Sequence, residues 1–427
     1  MALLLLERGA PAAYAQSATS APSVDEIKTE VDKAKVRNSD PFAISEQKNL
    51  GITAGDWIIL PEMTIGTSYD DNLFNSRTNP KASWGFDVQP GVTLKRDTGI
   101  HNTTLSLTGD ISTPVDVSGA DTFTGAADLK HVYEIERDLS LTYQGEVAHR
   151  YDQGSAVSAT GTGGGATGVY IEPISYMTYS SSLLLDKSFN NAFVSAGGGF
   201  QAYHYNNAQT TAGGTVSQSG RDLIQYSAHA RGGLRFLSDD YVFIEPTVTQ
   251  YDYQQGVPAT GYTVTGGVGS DHLGLFRGEI FGGYQIVEFG SGASGSSQLS
   301  GGTFGGRVAW TPTKDLVISL QAAQALTPNT ILSGSTGSIN KTDTISAAVT
   351  YDYTRRINFN ATASLSNVNY TVGSRDDKIS QITMSATYYL TERAGIRLEY
   401  DFANVNSNQP IYDYERNRVI LGIHIRL

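Results

Sequence analysis

From about residue 54 onward the chain alternates between apolar and polar positions with a period of two, in runs of ten or more residues. In Ile357 to Ser366 one face carries Ile357, Phe359, Ala361, Ala363 and Leu365, and the other carries Asn358, Asn360, Thr362, Ser364 and Ser366. Ile382, Met384, Ala386, Tyr388 and Leu390 repeat this opposite Gln381, Thr383, Ser385 and Thr387. Leu398, Tyr400 and Phe402 stand opposite Arg397, Glu399 and Asp401, and Val419, Leu421, Ile423, Ile425 and Leu427 opposite Arg418, His424 and Arg426. Side chains of a strand point alternately to its two faces, so each run predicts a strand with one greasy and one wettable side. A soluble sandwich also alternates, but it buries large apolar residues from two sheets over shorter strands. Long strands with small polar residues on the second face fit a closed barrel, apolar outside against lipid and polar inside against water.

Between the runs, short and long connections alternate. The short turns are expected at Asp97 to Ile100, Glu136 to Asp138, Phe189 to Asn191, Ser238 to Asp240, Arg277 with Gly278, Thr313 to Asp315, Thr354 to Arg356 and Glu392 to Ala394. Longer stretches rich in Gly, Ser, Thr and Asn include Gly154 to Thr167, Asn206 to Gly220, Gly290 to Ser297 and Pro328 to Gly337. The result is an all-β, transmembrane, antiparallel up-and-down barrel of about eighteen strands, with short turns and both termini in the periplasm. Outward aromatic residues near the short turns, Tyr133, Phe236, Trp310, Tyr351, Tyr353 and Tyr388, are expected to form an interfacial girdle.

Composition agrees. Among 427 residues there are 46 Gly, 24 Tyr and 15 Phe, and hydrophobic residues make up only 39%. With a mean hydropathy of -0.23, no window supplies the roughly 20 apolar residues of a spanning helix. The absence of cysteine removes disulfides and thiolate metal sites from consideration. A formal charge of -12 argues against binding nucleic acid through its phosphates. At the start, Leu3 to Leu6 and the Ala13, Tyr14, Ala15 triplet read as an atypical export signal over residues 1–15, cleaved after Ala15. Residues 16–53 are polar and charged and read as a flexible periplasmic segment, with a short helix fitting Val24 to Val36. The barrel then occupies residues 54–427.

A barrel of this strand number is expected to leave an aqueous lumen, so its inward residues are the candidate working surface. The period places Asp110, Asp128, Glu134, Glu146, Glu245, Asp352, Glu399 and Asp401 inward, together with Lys95, Arg150, Arg231, Arg235, Arg307, Arg397, Arg418 and Arg426. Mixed signs predict weak ion selectivity at most; the plainer reading is that acids and bases pair across strands and stiffen the wall. His229, Arg231 and Arg235 share one face and form a basic track or an ordinary solvated wall. The Asp70, Asp71, Asn72 run fits turn capping better than a calcium site, which would need more oxygen ligands at loop spacing. The seven histidines are scattered, and no nucleophile stands beside them in a catalytic pattern, so no enzyme activity and no cofactor are expected.

The opening Gly55, Asp56, Trp57, Ile58, Ile59, Leu60, Pro61, Glu62, running into Thr67, Ser68, Tyr69, Asp70, Asp71, Asn72, Leu73, Phe74, resembles the putative β-barrel porin 2 family. Phe243, Ile244, Glu245, Pro246 is similar to the same family. The resemblance covers about Ala54 to Leu427 and implies an outer-membrane barrel, in some members an exit for exopolysaccharide or capsular polysaccharide. No functional residue carries over from it. The chain departs from barrels generally in ending on Leu427, where a terminal aromatic usually addresses the barrel-assembly machinery; Ile423 and Ile425 keep that signal's alternation. The expected partners are outer-membrane lipid, the assembly machinery and a polysaccharide with its export apparatus. A general diffusion porin and an adhesive surface barrel are the alternatives.

Overall fold

The computed structural model describes residues 51–117, 119–151, 174–209, 214–236, 239–273, 275–290, 298–328, 339–370 and 375–427. The expected export signal at 1–15, residues 16–50 with the Val24 to Val36 helix, the Gly154 to Thr167 loop, and residues 210–213, 291–297 and 329–338 of the other long loops lie outside the described residues.

Eighteen strands close into one antiparallel barrel. They are β1 (Trp57–Asp70), β2 (Ser83–Asp97), β3 (His101–Pro114), β4 (Thr122–Glu136), β5 (Leu139–Tyr151), β6 (Ser175–Ser188), β7 (Ala192–Tyr205), β8 (Leu223–Arg235) and β9 (Asp240–Tyr253). The ring continues with β10 (Ala259–Leu273), β11 (Phe276–Phe289), β12 (Gln298–Thr313), β13 (Leu316–Pro328), β14 (Ile339–Thr354), β15 (Ile357–Tyr370), β16 (Asp376–Tyr389), β17 (Ala394–Ser407) and β18 (Tyr414–Arg426). Each pairs with its chain neighbours, and β18 returns to β1 in the register Met63↔Ile425, Ile65↔Ile423, Tyr69↔Val419. Ring closure gives the first and last strands a second neighbour, which an open sheet in hydrocarbon would lack. A short strand, Ile52–Ala54, folds back on Trp57 to Ile59 before β1 sets out. Among the described residues no helix is long and apolar enough to cross a membrane.

Directly opposed residues share a face, so register carries each side round the ring. Leu398 lies opposite Leu421, Ile345 opposite Leu365 and Met384 opposite Tyr400. This face is apolar and open: Leu421 is 54% exposed, Ile423 59% and Trp84 61%. Such exposure of large apolar side chains round a whole barrel is what a lipid-facing surface requires. Leu421→Arg is therefore expected to lose about 2–4 kcal/mol of folding stability in vesicles, as a cation on the lipid face does near the bilayer midplane. Ser385→Arg, on the other face of β16, should lose far less in the same urea titration; equal losses would remove the distinction between the faces.

The expected girdle residues all stand on the lipid-type face at the short-turn end, where Trp310 stacks on Phe276 at 5.7 Å and Tyr353 tilts against Phe359 at 6.5 Å. In the short turn after β4, Lys187 reaches Glu136 at 3.0 Å and Asp138 at 2.9 Å. The Lys187 hydrogen bond holds the exposed Asp138 carboxyl below its ordinary value.

One turn lies elsewhere than the sequence suggests. The chain reverses between Leu273 and Phe276, and Arg277 and Gly278 are already in β11. Gly278 serves a close approach instead of a turn, since a Cβ there would collide with the carbonyl oxygen of Arg307 on β12. The interior also differs from a uniformly polar wall. Toward the long-loop end, inward positions carry a packed apolar cluster of Tyr176, Tyr203, Leu223, Tyr251, Val287 and their neighbours. A second one gathers Val368, Tyr370, Ile379, Val405 and Tyr414.

Candidate functional site

Below these clusters the inward face is a belt of hydroxyl, amide and charged side chains. The ladder fixes which of them meet. On β8 to β12, Arg231, Glu245, Glu279 and Arg307 come from four strands, and the concave inner surface lets Arg231 reach over β9 and β10 to β11. Arg231 donates from Nε to Glu245, and from Nη1 and Nη2 to the two oxygens of Glu279 at 3.2 and 3.3 Å. Arg307 lies 3.3 Å from Glu279, directly opposite it in the β11–β12 ladder. The Tyr241 hydroxyl donates to the same carboxylate at 3.1 Å. The Arg231 guanidinium also covers the Phe243 ring at 4.0 Å, which keeps its unbonded face out of water. Two carboxylates are thus locked between two guanidiniums, in the fork geometry that suits planar Arg–carboxylate pairing.

A second network bridges the closure of the ring. Arg418 on β18 donates to Asp87 on β2 and reaches Ser112 on β3 at 3.3 Å. Arg416 donates to Asp70 at 2.9 and 2.6 Å. Arg397 donates from Nε to Glu399 at 3.1 Å and, through Nη2, again to the same oxygen. Thr383 donates to Asp401 at 2.8 Å, and Gln89 to Asp110 at 3.5 Å. Nearer the short-turn end, Asn358 donates to Asp352 at 2.6 Å, while Arg426 donates to the Glu392 carbonyl at 2.7 Å and lies 3.9 Å over Tyr389. Farther round the ring, past β3, Arg150 donates to Glu146 at 2.8 Å, Thr178 joins it at 3.2 Å, and Asp128 sits opposite Glu146 in the ladder.

The register therefore sets Asp110, Asp128, Glu146, Arg231, Arg235, Arg307, Asp352, Arg397, Glu399, Asp401, Arg418 and Arg426 on the interior face. It brings Arg231 together with Arg307 and Arg397 with Glu399, and keeps Arg235 apart, 5.1 Å from the Phe193 ring. Arg231 is engaged by acids, which interrupts the stripe of His229, Arg231 and Arg235. Sequence reasoning missed Glu279, Asp87 and Arg416. Glu279 fell at the edge of a misplaced turn; its even spacing from Gln285, Val287 and Phe289 was the signal that could have placed it inward. Asp70 and Asp71 fasten β1 to β18, since Asp71 accepts from the Asn417 backbone at 2.7 Å and side chain at 2.8 Å. Asp70 also accepts from the Asn72 N–H at 2.9 Å in the turn-capping manner expected.

Chemically, most arginines of this wall are held by carboxylates, while Asp110, Asp352 and Asp401 take hydrogen bonds from the neutral Gln89, Asn358 and Thr383. Burying an ion pair adds little net stability, because desolvation offsets the attraction, but removing one partner is costly. The belt is accordingly a stiff, polar surface of mixed charge. Threonines 247, 249, 263 and 265, with Gln381 and Thr387, supply hydrogen-bonding groups between the pairs.

Among solved structures the chain is similar to OpdO of Pseudomonas aeruginosa, at 14% identity over 89% of this chain and 99% of that one, with a TM-score of 0.38. It is also similar to OccAB1 of Acinetobacter baumannii, at 12% identity over 90% and 99%, TM-score 0.40. A third is the FrpB iron transporter of Neisseria meningitidis, at 9% identity over 88% and 83%, TM-score 0.43. No curated protein sequence matches the chain. The family model described as putative beta-barrel porin 2 matches residues 47–427, which takes in all eighteen strands. The chain is an outer-membrane barrel of the porin type and belongs to the putative β-barrel porin 2 family.

Proposed function

We propose that the barrel is a non-catalytic pore for hydrophilic material, and most specifically the outer-membrane exit of a secreted exopolysaccharide or capsular polysaccharide. The short-turn end, with both termini, faces the periplasm in this reading, and the apolar alternation of β18 is what the assembly machinery engages. The inward residues named above form the pore wall. One observation carries the proposal: Arg231, Arg307, Arg397 and Arg418 of the interior are each held by carboxylates, along one strand at Arg397–Glu399 and across strands at the other three, and hydroxyl and amide side chains lie between them. A neutral chain of sugars meets hydrogen-bonding groups along such a wall without a charged trap, and tyrosines can stack on sugar faces. A surplus of one sign would favour small ions instead.

The test is conductance of the full chain in planar bilayers, with and without neutral oligosaccharides on the short-turn side. We expect a steady conductance of slight cation preference that longer oligosaccharides interrupt. Deleting the gene should reduce surface polysaccharide. Conductance untouched by oligosaccharides, with unchanged secretion, would leave the general diffusion porin, whose weak selectivity the paired charges also support. Absence of conductance would overturn both.

A further inference from the structure

The ladder between β12 and β13 stops short. Among the described residues it runs from the short turn to Phe304↔Gln324 and no further. Beyond that point Gln298 to Thr303 remain paired with β11, down to Glu288↔Gln298, and Ala325 to Pro328 remain paired with β14, down to Pro328↔Ile339. The sheet therefore forks toward the long-loop end. Among the described residues, Ser300 to Thr303 lack the partners Ala325 to Pro328 that the register would give them, about 14 Å of strand at 3.4 Å per residue.

Side chains occupy the backbone groups that the missing ladder would have used. Gln285, inward on β11, donates from Nε2 to the Leu326 carbonyl at 3.2 Å and accepts the Leu326 N–H at 3.0 Å. Thr303 donates from Oγ1 to the Gln324 carbonyl at 2.6 Å, at the point of the fork. An inward residue of β11 reaches β13 only if the end of β13 has moved toward the interior, across β12. Leu326 agrees: the alternation that leaves Leu320 49% exposed would turn it outward, yet it is buried in the interior cluster with Tyr251 and Val287. Leu299, on the other lip, packs against the same cluster.

The fork thus joins two apolar regions. Outside lie Phe304 and Tyr284 of the lipid-facing band; inside lie Leu299, Val287 and Leu326. Between them are Gly301 and Gly302, where an added Cβ would meet nothing within 4 Å. A strand edge exposed to hydrocarbon alone costs several kcal/mol per unsatisfied backbone group. An occupant with a hydrogen-bonding head and an apolar tail meets both needs, and the fork is continuous with the surface that lipid already covers.

We infer that the fork is a lateral port, through which the acyl chain of a membrane amphiphile passes between the bilayer and the barrel interior, its head on the β12 edge and its tail against the partly buried Leu299. Which leaflet it opens to rests on the orientation proposed above; the port itself does not.

The experiment uses the full chain in phospholipid vesicles containing palmitic acid with a photoreactive diazirine on its tail, with adducts mapped by mass spectrometry. We expect adducts on the interior residue Leu299 as well as on the outer band. The chain has no cysteine, so Gly302→Cys can be folded first and then capped with a bulky maleimide. Capping should lower the interior adducts severalfold and leave those at Ile423 unchanged, and Gln285→Leu, which frees the end of β13, should raise them. Interior adducts that are absent from the parent, or indifferent to capping, would overturn the port. Conductance of the capped variant separates the two readings: it stays at the parent level if only the port is closed.

Discussion

Glu279→Leu is expected to be the most damaging single change in the interior, lowering stability by about 3–5 kcal/mol, the cost of removing one partner from a buried charge network. The Glu279 side chain is 1% exposed and takes hydrogen bonds from Arg231 and Tyr241, with Arg307 beside it. Without its carboxylate the two guanidiniums lie across the same short stretch of wall with only Glu245 to offset them. Glu279→Gln keeps an acceptor for Tyr241 and one arginine and should lose less. The same substitutions should move the reversal potential of the pore toward anions, since the wall loses one negative charge. Urea unfolding in vesicles and bilayer reversal potentials give independent readouts. If Glu279→Leu unfolds with the parent while the reversal potential stays put, the network is not what orders this side of the barrel. Arg231→Met in the Glu279→Leu background supplies the control, because contacting residues of one network couple by about 0.5–3 kcal/mol.

Glu279 also shows what the sequence can and cannot tell. The strands β15 to β18 are legible because each alternates without interruption, so Arg397, Glu399, Asp401 and Arg418 fall inward by counting alone. Through β10 and β11 the count fails. Gly266, Gly267, Gly269, Gly278, Gly282 and Gly283 remove the side chains that would mark the faces, and Gly278 imitates a turn while it makes room for the β12 backbone. The partners of a charge are hidden for a different reason. Arg231 and Glu279 are 48 residues apart, and only the register of three successive ladders brings them to one spot. The apolar interior clusters are hidden by the rule that reveals the barrel. Once greasy positions are assigned to lipid, inward Tyr203, Tyr205 and Tyr251 look like exceptions, although they pack with Leu223 and Val287 inside. The fork between β12 and β13 leaves no sequence signal beyond Gly301 and Gly302, because the amide that takes up the Leu326 backbone there comes from another strand.

The closure of the ring is the other place where one small change should have a large effect. Gly66 and Gly422 face each other across β1 and β18, the pair of strands that completes the barrel. A Cβ on Gly66 would lie 2.5 Å from the Leu421 carbonyl oxygen and 2.8 Å from the Gly422 Cα. One on Gly422 would lie 2.8 Å from the Ile65 carbonyl oxygen. These are backbone atoms, so no rotamer change relieves the contact, and the strands themselves have to part. Overpacking in a closed structure costs about 1–3 kcal/mol, and here the strain falls on the last ladder to form. Gly66→Val and Gly422→Val are therefore expected to slow or block closure, whereas Gly301→Val, at an open position of β12, should fold normally. Heat-modifiable migration in detergent gels reads this directly, because a closed barrel runs compact until boiled. We expect Gly66→Val to lose most of the compact band and the Gly66→Ala variant to keep part of it. The Arg416–Asp70 and Arg418–Asp87 pairs tie β18 to β1 and β2 and remain available in these variants, so a valine that closes as readily as glycine would mean that the two strands lie farther apart than this register sets them.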